Sequence, residues 1–322
     1  MPFAFVFPGQ GSQSVGMLAQ LAGMDSIVRA TFDEASAVLG YDLWQVTQEG
    51  PEERLNATEC TQPAMLAAGV ATWRLWRGRG GAAPTIVSGH SLGEFTALVC
   101  AEAVDFRAAV DLVRFRGQAM QEAVPPGTGA MAAILGLDDG DIEQACRDAA
   151  QEIGEGSVVE PVNFNAPGQV VIAGQSVAVQ RAIELAKTRG AKRAIALPVS
   201  VPSHSSLMLG AAQRLGERLK TVEIRAPGIR YVSAVDSTAH EQPSDIRALL
   251  VRQLSSPVRW SDTVRALAQT LVGESAAGRI IECGPGKVLT GLNRRIERRA
   301  GLEFVALEDP ASIESALAAV QG

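Results

Sequence analysis

The chain has 322 residues, of which 47% are hydrophobic and 20% are charged, and its formal net charge is −6. This composition supports a large buried core in one large or two domains. It lacks the basic stripe typical of proteins that bind nucleic acid or anionic membranes, and no apolar run approaches membrane-spanning length. We therefore expect a soluble, cytoplasmic protein that binds neither nucleic acid nor membrane.

The first residues, Met1 to Pro8, carry no basic segment and are too short for a signal peptide. Their apolar run predicts a first β-strand that ends at Pro8. The cysteines are far apart and form no C-x-x-C pair, which predicts free buried thiols in a reducing compartment. They are Cys60, Cys100, Cys146 and Cys283.

A glycine-rich loop, Pro8 to Gln13, follows this first strand. A dinucleotide-binding fingerprint almost fits it, but the place of the third glycine holds Ser14. Two interpretations remain for the loop. Either its backbone amides face a ligand, or its glycines only permit a turn.

Two helices come next in the chain. Asp25 and Ser26 are typical of a helix start, and Gly40 marks the end of that helix. Pro63 is expected to open the second helix, which Gly78 closes.

A G-x-S-x-G turn then joins a predicted strand, Ala83–Val87, to a predicted helix, Leu92–Ala101. Gly89 and Gly93 lie where a strand that turns sharply into a helix leaves no room for side chains. Ser91 at the apex then exposes its Oγ, and the next backbone N–H groups point at any oxyanion formed on attack. The turn predicts a nucleophile at the carboxyl end of a strand in a parallel α/β sheet.

The next helix, predicted from Asp105 to about Ala123, carries Arg116 in the middle of its apolar stripe. An arginine aimed at the interior must be paired, because burying an isolated charge is prohibitive. Two partners stay open at this point. One is a buried carboxylate of the chain, and the other is a ligand carboxylate held by two parallel hydrogen bonds.

A linker rich in proline and glycine, residues 125–129, precedes a segment with a separate pattern of predicted strands and helices. Up to Val199 the predicted order is strand-helix-strand-strand-helix-strand, which is ferredoxin-like. We therefore expect a discontinuous large domain, residues 1–126 and 200–322, with a small domain inserted at residues 127–199. The chain after the insert predicts further helices and strands. These elements are a helix from Ser205 to about Val222, a strand at Tyr231–Val235, a helix at Ile246–Leu254, a strand at Arg279–Cys283 and a helix from Val288. The tail beyond Gly301 stays unassigned.

An attacking serine needs a base, and the chain offers three histidines. His90 adjoins the serine in a tight turn, so its side chain is expected to point elsewhere, and His240 lies in a polar loop. His204 precedes a predicted helix, whose positive end opposes protonation and favours a neutral base. No aspartate is an obvious partner to orient His204, and a backbone carbonyl or an amide could serve instead.

Seven stretches stand in a specific order along the chain: Gly9–Gln13, Gly89–Glu94, Arg116, Val162–Asn165, Val201–His204, Gln253 and Gly284–Lys287. Together they resemble the malonyl-CoA:acyl carrier protein transacylases, the stand-alone loading enzymes of bacterial fatty acid synthesis. The likeness runs from the first strand to about Arg299. It implies an α/β-hydrolase-like large domain with a ferredoxin-like insert.

The resemblance also implies roles for individual residues. Ser91 would be the acylated nucleophile and His204 its base. The backbone amides of Gln10 and Leu92 would form the oxyanion hole, and the main-chain carbonyl of Gln253 would orient the histidine.

The substrate would be held by two further residues. Arg116 would grip the free malonyl carboxylate, and Asn165 resembles a polar residue near the cleft. The segment Val201–Ser203 is of the type that loads malonyl rather than methyl-branched units.

The partners implied are malonyl-CoA and acyl carrier protein, and the chain is expected to act as a monomer. No metal and no resident cofactor are implied, because coenzyme A arrives as the substrate and phosphopantetheine is carried by the partner. Two other functions stay open. A thioesterase or serine esterase would use the same turn and histidine, and a catalytically idle chain could only bind acyl carrier protein.

Overall fold

The computed structural model describes residues 1–199, 201–274 and 277–321. Residues 200 and 322, which bound the second segment of the predicted large domain, lie outside this range. The strands are β1 Phe3–Phe7, β2 Ile86–Gly89, β3 Gly129–Leu135, β4 Val159–Ala166, β5 Gln169–Gln175, β6 Arg193–Ala196, β7 Arg230–Val232, β8 Ala239–His240, β9 Gly278–Glu282 and β10 Leu302–Ala306.

Helices cover both sheets. The α-helices are α1 Ala19–Met24, α2 Ser26–Leu39, α3 Leu43–Glu49, α4 Glu52–Asn56, α5 Thr58–Gly78, α6 Gly93–Cys100, α7 Phe106–Gln121, α8 Asp139–Ile153, α9 Ser176–Thr188, α10 Leu209–Leu219, α11 Pro243–Gln253, α12 Trp260–Glu274, α13 Val288–Ile296 and α14 Pro310–Gln321. A short 3₁₀ helix, Ser206–Met208, precedes α10.

The larger sheet has the strand order β10-β9-β1-β2-β7-β8 and is parallel except for the short β8. Every residue of β1 is buried, as expected for a central strand covered on both faces. Phe5 makes edge-to-face contacts with Trp73 and Trp76 of α5, with centroids 5.7 and 5.3 Å apart. This packing places α5 against the strands that carry the site.

The smaller sheet is antiparallel, with the order β4-β5-β3-β6. α8 and α9 cover it with a separate apolar core that includes Ile134, Ile142, Ile172 and Ile183. This is the predicted ferredoxin-like order, and the α/β fold class with an inserted antiparallel sheet is confirmed. The division at residues 126/127 and 199/200 stays a prediction.

Several predicted elements differ in their ends. The helix expected to open at Pro63 begins at Thr58, so the proline lies inside α5. The predicted strand from Tyr231 ends at Val232, and the helix expected from Ser205 begins as 3₁₀ before α10. The unassigned tail forms β10, which adds a parallel edge to β9, and α14.

The cysteines are free and buried, as predicted. No helix among the described residues is long and apolar enough to cross a membrane.

Candidate functional site

The candidate site lies where the two central strands end. β1 and β2 are parallel neighbours with Phe7 opposite Gly89, so the loop after β1 and the turn after β2 meet at one sheet edge. A Cβ on Gly9 would lie 2.5 Å from the carbonyl oxygen of His90. The glycine-rich loop therefore packs directly on the serine turn, and glycine at position 9 permits that approach.

The serine turn has the strained geometry that its sequence predicts. Ser91 has φ 52°, a left-handed conformation that is unusual for a residue other than glycine. A Cβ on Gly89 would lie 1.9 Å from the carbonyl carbon of Gly93, and one on Gly93 would lie 2.0 Å from the Phe7 oxygen. Both glycines are required for the strand to turn into α6 at this distance.

We expect Gly89→Ala to destabilise the fold by about 3 kcal/mol or more, because the methyl group would overlap backbone rather than a movable side chain. Gly210 offers a matched control, since a Cβ there meets nothing within 4 Å. Chemical denaturation of both variants measures the difference. Equal stabilities of Gly89→Ala and Gly210→Ala would contradict the close packing of the turn.

Ser91 and His204 come together from 113 residues apart in the chain, with Oγ and Nε2 2.8 Å apart. The other ring nitrogen, Nδ1, lies 2.7 Å from the main-chain oxygen of Gln253, at the end of α11. A carbonyl only accepts, so Nδ1 carries the proton and Nε2 is left as the acceptor for the serine hydroxyl. His204 also has a left-handed backbone, with φ 66°.

His204 is buried, with 4% of its surface exposed. Burial lowers its pKa to about 3, and the positive charge of Arg116 adds to the shift. The ring is therefore neutral over the whole physiological range. The shift therefore has causes other than the helix end that the sequence suggested.

Arg116 is buried, as its place in the apolar stripe predicts, with an exposed fraction of 1%. Its Nη1 donates to Gln62 Oε1 and its Nη2 to Gln253 Oε1, each at 2.9 Å, and Nη2 also lies 3.4 Å from Ser91 Oγ. No carboxylate of the described chain forms a salt bridge with it. The sequence left two partners open, a carboxylate of the chain and a carboxylate of a ligand. Among the described residues, no carboxylate of the chain pairs with Arg116.

Gln10 and Leu92 both line the same cleft as Ser91. In the described chain their backbone N–H groups donate to no protein acceptor, whereas the neighbouring amides of Gly11 and Gly93 are bonded. Two free amides beside the serine fit the predicted oxyanion hole.

Asn165 is buried, and its Oδ1 is 2.8 Å from Nε2 of His90. The ring of His90 contacts Trp260, with centroids 5.5 Å apart, and His90 also lines the cleft that contains Ser91. His240, expected in a polar loop, is partly buried and lies 3.2 Å from the Asp236 carboxylate. Asn165 thus reaches the cleft through His90, and its contact with substrate stays a prediction.

The cleft has a volume of about 450 Å³ and includes Ser91, His204 and Arg116 among its lining residues. The inserted sheet supplies another wall, with Met131 from β3 and Asn163 from β4. The sequence indicates Asn163 only as part of the stretch Val162–Asn165, and it predicts no role for Gln62. The signal for Gln62 is a polar residue within the apolar run that forms α5.

Such a parallel α/β sheet, with a serine–histidine pair at a strand end and a buried arginine beside it, is the arrangement of an acyl-transfer protein. A family model described as "Acyl transferase domain" matches residues 4–288. The Escherichia coli K12 protein named malonyl CoA-acyl carrier protein transacylase is 55% identical over 315 residues, covering 98% of each chain.

Solved structures agree. An acyl carrier protein S-malonyltransferase from Vibrio cholerae superposes with a TM-score of 0.91 at 54% identity, covering 98% of this chain and 100% of that one. A malonyl-transacylase solved with its holo type II PKS acyl-carrier protein superposes with a TM-score of 0.93 at 52% identity, covering 99% of this chain and 100% of that one. The chain belongs to the family of malonyl CoA-acyl carrier protein transacylases.

Proposed function

We propose that this chain moves a malonyl group from coenzyme A to the phosphopantetheine thiol of acyl carrier protein through an ester on Ser91. The observation that supports this mechanism best is that a base and a cation both lie close to the hydroxyl oxygen of Ser91. Ser91 Oγ lies 2.8 Å from a neutral imidazole nitrogen and 3.4 Å from a buried guanidinium. An acyl group attached there would place its free carboxylate beside a fixed cation.

In the first half-reaction, Nε2 of His204 takes the hydroxyl proton while Oγ attacks the thioester carbonyl. The oxyanion is held by the backbone amides of Gln10 and Leu92, each worth on the order of 3 kcal/mol. Collapse breaks the carbon–sulfur bond, and the departing thiolate of coenzyme A takes the proton from the imidazolium. The carbonyl of Gln253 keeps the ring oriented throughout.

In the second half-reaction, the thiol of the carrier attacks the Ser91 ester. His204 accepts the thiol proton and returns it to Oγ as the ester bond breaks, so the chain ends unchanged. Burial of the base and of Arg116 limits the approach of water, which would otherwise hydrolyse the ester. The reaction draws on side chains and amides of this chain alone, with no resident cofactor or metal.

Malonyl-CoA mixed with apo- and holo-carrier protein tests this function by mass spectrometry. Malonyl on the holo-carrier alone is the expected result. Free malonate without carrier acylation would instead indicate an esterase, and an unchanged mixture would indicate a binding protein. A carrier from a type II PKS is worth testing beside one from fatty acid synthesis, because one related transacylase was solved with such a partner.

The lowered pKa of His204 predicts an unusual pH profile. Because the ring becomes mostly protonated only below about pH 3, protonation of His204 should cause no loss of kcat/KM for malonyl-CoA as the pH falls from 8 to 5. Glu94 is the control, since burial raises its pKa to about 7. An acid limb near 6.5 that persists in Glu94→Gln would contradict a neutral, buried base.

We further propose that the chain works as a cytoplasmic monomer and that Asn165 acts by holding His90. Free thiols support the reducing compartment. The 2.8 Å contact between Asn165 and His90 supports the positioning role.

A further inference from the structure

Arg116 is held by two amide side chains, one from α5 and one from α11. The guanidinium has donors only, so the hydrogen bonds require that Gln62 and Gln253 both present Oε1 to it. The amide nitrogen of Gln62 then points to Met120 Sδ at 3.3 Å, one turn further along α7. Each amide is 1% exposed, so these contacts are shielded from water.

No carboxylate of the described chain forms a hydrogen bond or a salt bridge with Arg116. Amide oxygens orient a guanidinium but carry no net charge, and Nε has no partner in the described chain. The carboxylate of Glu94 is close enough to affect Arg116 electrostatically, but its hydrogen bonds are made with other residues. Tyr231 Oη and the amide of Ala234 each donate to it at 2.6 Å, and Ser233 Oγ lies 3.3 Å away.

We propose that Gln62 determines acyl specificity: as a neutral residue it fixes Arg116 in place and leaves the full cationic charge for the carboxylate of the incoming acyl group. This inference rests on the proposed function. A glutamate of the same length at position 62 would orient the same nitrogen, but it would also neutralise the charge that malonyl needs.

A substitution at Gln62 tests this proposal better than one at Gln253, because Gln62 has fewer other hydrogen bonds. Gln253 also orients His204 through its main-chain carbonyl, and its Nε2 donates to the main-chain oxygen of Ser91 at 3.0 Å, so its replacement would disturb the serine turn. Gln62 bonds only Arg116 and Met120 among the described residues. It is a positioning residue, and among the described residues it forms no hydrogen bond with Ser91 or His204.

The experiment compares Gln62→Glu with Gln62→Met, an unbranched residue of similar length without an oxygen. For each, kcat/KM is measured with malonyl-CoA and with acetyl-CoA, and thermal unfolding gives Tm. We expect Gln62→Glu to lower the malonyl-to-acetyl ratio about 100-fold, and Gln62→Met to lower it less than about 5-fold, since the cation remains. Tm of Gln62→Glu should equal or exceed that of Gln62→Met, because the buried charge gains a partner.

An unchanged malonyl-to-acetyl ratio in Gln62→Glu would overturn the proposal. If both variants also lost activity equally with the two substrates, Gln62 would have a packing role only. Wild-type protein is assayed in parallel. If the wild-type protein forms no malonyl ester, the proposed function is wrong and the role of Gln62 is wrong with it. If it forms the ester while Gln62→Glu keeps its preference for malonyl, only the role of Gln62 is wrong.

Discussion

Ser91→Ala should abolish the formation of a malonyl ester on the protein and lower the transfer rate by about 10⁴-fold or more, because no other group occupies the apex of the turn. Intact-mass measurement after mixing with malonyl-CoA detects the ester directly. The left-handed backbone at position 91 remains the same for alanine, so stability should change little.

Ser88→Ala provides a matched control for this variant. Ser88 lies three residues earlier, and its buried Oγ has no partner among the described residues. This variant should acquire the malonyl mass as the wild type does. Continued labelling of Ser91→Ala would move the nucleophile to another residue.

Arg116→Ala should lower kcat/KM for malonyl-CoA by about 10³-fold while acetyl-CoA loses less than about 10-fold. The malonyl carboxylate would enter a buried site without its cation, whereas acetyl never used that charge. The neutral amides of Gln62 and Gln253 would remain and would be unable to replace it.

Arg114→Ala on the same helix is the control. Arg114 is half-buried and pairs with Asp111 at 2.7 Å, away from the stripe that faces the site. Its loss should leave the preference for malonyl intact. Equal losses for malonyl and acetyl in Arg116→Ala would assign the arginine a structural role only.

The parts of the site that rest on local pattern could be predicted from the sequence. The serine turn follows from two glycines between a buried strand and a helix, and a Cβ added to either glycine would lie about 2 Å from a backbone atom. Arg116 follows from its place in a helical stripe. The inserted sheet follows from the order of its elements, because that order determines which strands become neighbours.

The parts that rest on long-range contact could not be predicted in this way. The orienting group of His204 is a backbone carbonyl, which every residue has, so residue type carries no signal for Gln253. Only the resemblance indicated it. Likewise, the choice between an internal and a ligand carboxylate for Arg116 depends on how α5, α7 and α11 pack, and Gln62 became visible only in that packing.

The central claim is that one serine oxygen carries malonyl between two thiols, and peptide mapping of the isolated acyl-protein tests it most directly. Protein labelled with malonyl-CoA is freed of coenzyme A, and one half is digested while the other half receives holo-carrier protein. The account predicts malonyl on the peptide that contains Ser91, and its movement to the carrier thiol as the chain returns to its unmodified mass. Malonyl on any other peptide, or release as free malonate with the carrier unmodified, would contradict it.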